Sequence, residues 1–313
     1  MIKLDEIESA HRRIKPFVHR TMILTNKSID ALTEAHLFFK CENFQKTGSF
    51  KIRGATNAIL QLSQEDISRG IATASSGNHG AALSRAVSIK GGTTKVVMPT
   101  NTPKIKVDNV IRNGGEVLWC EPTQSSRDYV LQKLLDDTGS KLIHPYNDDQ
   151  IITGQATVAK ELYEDCLDLE IIISPVSGGG LLAGSLSYLK KINPEIVVYG
   201  AEPEKADDTY RSITVGKIQS NITTNTICDG LRAQVGTITF PIIQQYVNGI
   251  IVLSEKEIID AMKIIWERLK IIIEPSCSIT LAAILKRKDL FINKRVGLIL
   301  SGGNVDLSKM PWQ

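Results

Sequence analysis

An α/β fold with parallel-rich sheets flanked by helices is what this 313-residue sequence predicts, on three observations. From Gly70 on, short apolar segments alternate with longer ones whose apolar residues recur at helical spacing. Short loops join them, so consecutive strands run parallel and the helices are crossovers. The length and the composition, 42% hydrophobic and 23% charged, suffice for two modest domains or one large domain with a lobe.

In chain order, residues 3–15 predict an amphipathic helix broken at Pro16, and a short helix covers 26–33. Residues 37–42 read as a strand. Gly48 and Ser49 permit a tight turn, after which Ile52, Ala55, Ala58 and Ile59 recur at helical spacing. The alternation continues as strand 71–74, helix 80–89, strand 94–99, helix 104–113, strand 116–120, helix 126–137 and strand 141–144. The polar segment 144–149 contains Pro145 and makes a seam between lobes. Beyond it come helix 152–166, strand 171–176, a helix after Gly180, strand 196–201, helices 254–270 and 278–286, and strand 295–300.

The net charge of +3 is spread along the chain with no basic stripe interleaved with aromatics, so nucleic acid and membrane surfaces are not the expected partners. A slightly basic chain suits anionic small molecules. The five cysteines are scattered without a C-x-x-C pair, which argues against a disulfide framework or a zinc site and for a reducing, cytoplasmic setting. No apolar run reaches membrane-spanning length, and the first residues lack a signal-peptide core.

Four loops carry chemistry. Lys51 follows Gly48-Ser49-Phe50 just inside a helix start, where the positive helix terminus and burial both favour a neutral, nucleophilic amine, as a Schiff-base lysine requires. A lone lysine there is ordinarily a solvated surface group. Ser75-Ser76-Gly77-Asn78-His79-Gly80 precedes a helix and offers hydroxyls and free N–H groups to an anion, more than an N-cap alone needs. Ser177-Gly178-Gly179-Gly180-Leu181 opens another helix after a buried strand, and its glycines let successive N–H groups reach a phosphate. It is no P-loop, since no Gly-Lys-Ser/Thr follows, but Gly178-x-Gly180-x-x-Ala183 with Glu202 about twenty residues on also has the form of a dinucleotide site. Glu202-Pro203-Glu204-Lys205-Ala206-Asp207-Asp208 places carboxylates six apart around a turn, a hard-oxygen set suited to Mg²⁺ or Ca²⁺, or merely a solvated acidic loop.

Taken together, Ser49-Phe50-Lys51-Ile52-Arg53-Gly54-Ala55 and Ser75-Ser76-Gly77-Asn78-His79-Gly80 resemble the pyridoxal-phosphate (PLP) enzymes of the serine/threonine dehydratase and serine racemase family. The resemblance implies the two-lobed fold-type II, tryptophan synthase β-like architecture, with residues 1–69 and 147–313 as the large PLP-binding domain and 70–146 as the small domain. It implies Lys51 as the Schiff-base lysine beside Phe50, and Ser76 as the base on the opposite face of the substrate. By the same resemblance Ser75, Asn78 and His79 help hold the substrate carboxylate, Ser76 also contacts the substrate, and Asn78 also meets the cofactor's phenolic oxygen. The phosphate falls to Ser177, Gly178, Gly179, Gly180 and Leu181, where Ser177 replaces the first glycine of a common tetraglycine and its hydroxyl could still donate. Ser301 pairs with the pyridine nitrogen, Glu274 lines the site, and Arg127 approaches an acidic substrate. Glu202, Asp208 and the carbonyl of Ala206 match a divalent-cation site, for Mg²⁺ with Ca²⁺ or Mn²⁺ as alternatives.

A cytoplasmic homodimer that racemises serine or dehydrates L-serine and L-threonine is therefore expected, with 3-hydroxyaspartate dehydration and a Rossmann-type oxidoreductase as alternatives. A non-catalytic amino-acid- or PLP-binding module on the same fold is a further class, against which Lys51 and Ser76 both argue. Nucleotide activation is not expected, because Asn113 and Ala81 stand where an aromatic residue and a glutamine bind it, although Lys46 and Asn304 match. Feedback by isoleucine is not expected either, since the chain ends at Gln313 without a regulatory domain.

Overall fold

The computed structural model describes residues 1–312. Ten strands are assigned in it: β1 (Ile23–Leu24), β2 (His36–Cys41), β3 (Ile71–Ala74), β4 (Thr94–Pro99), β5 (Gly115–Cys120), β6 (Lys141–Leu142), β7 (Ile171–Pro175), β8 (Val197–Pro203), β9 (Gly249–Leu253) and β10 (Arg295–Leu300). They form two sheets, one of six strands in the order β1-β2-β10-β7-β8-β9 and one of four in the order β5-β4-β3-β6. Every pairing is parallel except β1 with β2.

Both faces of the larger sheet are buried, as strands bounded by crossover helices require. Ile171, Ile173, Leu298 and Leu300 pack against helices Glu255–Leu269 and Pro275–Lys286, while Ile172, Val198 and Ile299 alternate to the other face, under Asp149–Asp165 and Gly180–Ile192. A third cluster joins helix Lys51–Leu60 to helix Asn78–Ile89 through Ile52, Ala55, Ile59, Ala82 and Leu83. Helix Lys51–Leu60 thus touches both sheets' helical layers.

Its position is fixed by glycine. A Cβ on Gly54 would lie 2.7 Å from the carbonyl oxygen of Ile151, and one on Gly154 would lie 2.6 Å from the Cα of Gly54. Helices Lys51–Leu60 and Asp149–Asp165 therefore cross backbone against backbone, which only paired glycines allow.

The structure adds elements the sequence did not announce. Helix Thr239–Tyr246 contains Pro241, a breaker that is tolerated because it falls in the first turn. Helix Asp208–Val215 carries the weak helix formers Ile213, Thr214 and Val215, and strand β9 begins three residues after helix Thr239–Tyr246 ends. The strand expected over 141–144 ends at Leu142, before Pro145. No described helix is long and apolar enough to cross a membrane.

Candidate active site

Lys51 is the first residue of its helix. The preceding turn is held open by Thr47 and Gly48, both at positive φ (65° and 75°). It is stitched to the end of β10, where Phe50 N–H donates to the Ser301 carbonyl (3.1 Å) and Gly303 N–H to the Gly48 carbonyl (2.9 Å). Lys51 Nζ donates to the Pro145 carbonyl at 3.0 Å and lies 5.2 Å from the Phe50 ring centroid. Burial lowers its pKa to about 8, and the Glu274 carboxylate opposes the drop. A lysine so placed reaches its neutral, nucleophilic form far more readily than a solvated one.

The loop between β3 and helix Asn78–Ile89 brings Ser75, Ser76, Asn78 and His79 to the same region. Ser75 Oγ accepts the N–H groups of Gly77 (3.1 Å) and Gly80 (3.0 Å), leaving its own proton to donate. Ser76 is half-buried in this turn. Asn78 Nδ2 donates to Glu274 Oε1 and its Oδ1 accepts from Asn304 Nδ2, both at 2.8 Å. His79 is buried. Its ring faces the Ile143 carbonyl (Nε2 at 3.4 Å), and burial together with nearby Lys51 lowers its pKa to about 3. A neutral ring turned that way cannot pair with a carboxylate as a cation, so its main-chain N–H is the donor that remains.

Beyond β7, Gly179 at φ 87° caps helix Gly180–Ile192 without a side chain, so the first-turn N–H groups have no capping acceptor. The Ser177 hydroxyl is not free for phosphate as expected, because it donates to the Ala233 carbonyl (3.2 Å) and accepts the Ala233 N–H (3.0 Å). Gly178 is held by its carbonyl, which accepts from Thr239 Oγ1 (2.7 Å) and Gly236 N–H (3.2 Å). A Cβ on Gly178 would overlap the Tyr146 ring, and one on Gly180 would come within 3.1 Å of the Tyr146 Cβ. Leu181 is buried beneath the loop. Tyr146, read from sequence only as part of a seam, is thus the ring that covers the glycine loop, one residue from the carbonyl that holds Lys51.

Ser301 is buried at the end of β10 and Glu274 at the N-cap of helix Pro275–Lys286. Glu274 Oε2 lies 3.3 Å from Lys106 Nζ, which also pairs with Asp229 at 2.7 Å. Sequence reasoning missed Lys106 and Asp229, since a lysine on an amphipathic helix reads as solvated. Arg127 is half-buried on helix Gln124–Thr138, with Nε lacking a protein partner among the described residues and its charge felt at the Tyr146 phenol.

Glu202 and Asp208 are both buried. Glu202 accepts the N–H groups of Thr209 (3.2 Å) and Tyr210 (3.0 Å), and Asp208 Oδ2 accepts that of Val235 (2.7 Å), while Asp208 Oδ1 has no partner among the described residues. Burial and then Asp208 raise the Glu202 pKa well above the usual range, and burial raises that of Asp208 to about 6. Among the described residues no three His, Cys, Asp or Glu side chains converge on a metal, so this pair with the Ala206 carbonyl is the hard-oxygen set available. The dinucleotide reading needs Glu202 at the sheet edge facing a ribose, whereas its carboxylate is fully buried beneath the start of helix Asp208–Val215.

These features fit PLP. The lysine has depressed basicity, the glycine loop presents uncapped N–H groups, and the buried atoms Ser49 Oγ and His79 Nδ1 beside Lys51 have no protein partners among the described residues. Fold and site together define a two-sheet α/β enzyme that works through pyridoxal phosphate. Residues 14–302 match the model of the pyridoxal-phosphate dependent enzymes, and the chain belongs to that family. It is 49% identical to serine racemase from Arabidopsis thaliana, covering 97% of this chain and 93% of that one. It is 46% identical to β-hydroxyaspartate dehydratase from Paracoccus denitrificans, covering 98% of each. The solved structure of maize serine racemase matches with a TM-score of 0.95 at 45% identity, over 98% of this chain and 94% of that one.

Proposed function

We propose that this enzyme acts on β-hydroxy amino acids, chiefly serine, either inverting the α-carbon or eliminating the β-hydroxyl to give a 2-oxo acid and ammonia. L-Threonine and 3-hydroxyaspartate are the neighbouring substrates. The observation that carries the reading is Lys51, an amine of lowered pKa at a helix start, bonded to the carbonyl of Pro145, the residue before the tyrosine whose ring covers the glycine loop. The named relatives, a serine racemase and a β-hydroxyaspartate dehydratase, support this choice of substrates.

In this reading residues 70–146 are the small lobe and the rest the large one. The N–H groups of residues 178–181 hold the cofactor phosphate, Asn78 its phenolic oxygen and Ser301 its ring nitrogen. When bound, PLP draws off the electrons left behind when a proton leaves the substrate α-carbon. Lys51 Nζ takes that proton, and its pKa near 8 suits a base at neutral pH. Ser75 Oγ and the N–H groups at the start of helix Asn78–Ile89 hold the substrate carboxylate, with Arg127 toward the far end of a longer acidic substrate. Ser76 returns a proton to the α-carbon from the face opposite Lys51, which inverts it. Without that return the β-hydroxyl departs. Ser301 offers a hydroxyl where an aspartate would hold the ring nitrogen protonated, which weakens the electron sink and disfavours transamination. Glu202, Asp208 and the Ala206 carbonyl take a divalent cation, Mg²⁺ first, whose charge offsets two buried acids. The enzyme is a homodimer of the cytoplasm in this reading.

Incubation with L-serine and Mg²⁺, with D-serine and pyruvate measured together, tests it. One or both products form, and Lys51→Ala forms neither. Colourless protein that yields no product from serine, threonine or 3-hydroxyaspartate defeats the proposal.

A further inference from the structure

We infer that Lys106 is a positioning residue that reaches from the four-stranded-sheet half of the molecule to the other half and, through Glu274, fixes the orientation of the Asn78 amide. The inference rests on the assignment of Asn78 to the cofactor. Lys106 lies on helix Lys104–Arg112, between β4 and β5, yet its side chain is buried and its ammonium pairs with Asp229 (2.7 Å) and Glu274 (3.3 Å), both contributed by the chain after β8. Its aliphatic stem lies on Gly77, where a Cβ would sit 2.6 Å from the Lys106 Cδ. The same side chain therefore packs on the Ser75–His79 loop and grips the residue that this loop's asparagine touches.

The chain of contacts is continuous. Lys106 meets Glu274 Oε2, Glu274 Oε1 accepts from Asn78 Nδ2, Asn78 Oδ1 accepts from Asn304 Nδ2, and Asn304 Nδ2 also donates to the Thr47 carbonyl in the turn before Lys51 (2.8 Å). An asparagine amide has one donor end and one acceptor end, and here each has a committed partner. The orientation survives only while Glu274 accepts. Burial raises the Glu274 pKa, and Lys106 is the first group opposing that rise. Without Lys106, Glu274 and Asp229 are left as neighbouring acids with no cation in direct contact among the described residues. Glu274 then takes up a proton, and a proton on Oε1 turns it from an acceptor into a donor facing Asn78 Nδ2. The amide loses its partner, and its orientation is no longer fixed.

Full-length protein stripped of cofactor tests this by titration with PLP, followed by the visible absorbance of the bound form, in a double-mutant cycle of Lys106→Met and Asn78→Ala. Methionine keeps the stem over Gly77 and removes only the charge. Lys106→Met weakens PLP retention by about tenfold in the parent background and by less than about twofold on Asn78→Ala, because it acts through that amide. Lys106→Arg, which keeps the cation, stays within about threefold of the parent and shows its absorbance band. Equal losses in both backgrounds, or none in the parent, overturn the inference while leaving the PLP reading intact. Unchanged retention in Asn78→Ala alone overturns the assignment of Asn78 and the inference with it.

Discussion

Glu42 and Glu161 are buried beside Arg53 and Lys40, whereas Glu202 and Asp208 are buried beside each other. In the first cluster the Arg53 guanidinium bridges both acids through four contacts of 2.7–2.8 Å, and Lys40 Nζ adds another to Glu161 at 2.8 Å. Burial alone would raise Glu161, but hydrogen bonding from His11 and the charges of Arg53 and Lys40 prevail and hold it below the usual carboxylate range. In the second cluster nothing prevails over burial, and both acids are raised. The difference separates structure from ligand chemistry. A cluster that carries its own cations fixes helix Lys51–Leu60 behind Lys51, and one that lacks them is the pair to which the proposed reading gives a divalent cation.

The largest effect is expected where the matched cluster is broken. Arg53→Met strands two buried carboxylates and costs about 3–5 kcal/mol, lowering the thermal midpoint by on the order of 10 °C, as calorimetry would read. A variant within a degree or two of the parent would mean that the cluster is not the brace its geometry suggests.

Next comes the unmatched pair. A divalent cation at about 100 times its Kd stabilises the parent by roughly 2.7 kcal/mol, and Glu202→Gln removes most of that gain. Equal stabilisation of parent and variant by Mg²⁺, with EDTA as reference, would move the cation elsewhere.

A smaller effect sharpens the contrast through pH. The folded-state pKa of Asp208, about 6, exceeds its ordinary 3.8, so the folded chain binds the proton more tightly than the unfolded one. This contribution is fully present below about pH 4 and is lost as pH rises through about 6. Glu161, held low, behaves oppositely and loses its contribution as pH falls. Subtracting unfolding curves with and without Mg²⁺ isolates the contribution of the Glu202–Asp208 pair, and the cation should abolish the decline that begins at about pH 4. A difference curve flat above that pH would contradict it.

How far these features could be read in advance follows the same division. The glycine loop, the serine-asparagine loop and Lys51 were legible because their chemistry is local: a turn, a helix start and a row of N–H groups are written in consecutive residues. Glu202 and Asp208 were legible for the same reason. Arg53 was quoted only as part of a motif, and Lys106, Asp229 and Tyr146 carried no local signal, because their partners are about 30 to 170 residues away and a charge is recognisable as buried only once the fold surrounds it. The crossing at Gly54 and Gly154 was silent too, since a glycine inside a helical pattern reads as a weakness until a second backbone is seen against it. Helix Thr239–Tyr246 went unread because Pro241 signals a break unless its place in the first turn is known.

The two-faced proton chemistry assigned to Lys51 and Ser76 is tested most directly by Ser76→Ala, with D-serine and pyruvate formed from L-serine measured in one reaction. D-Serine formation should vanish while pyruvate formation persists. Equal survival of both activities would contradict the assignment of Ser76 to the opposite face.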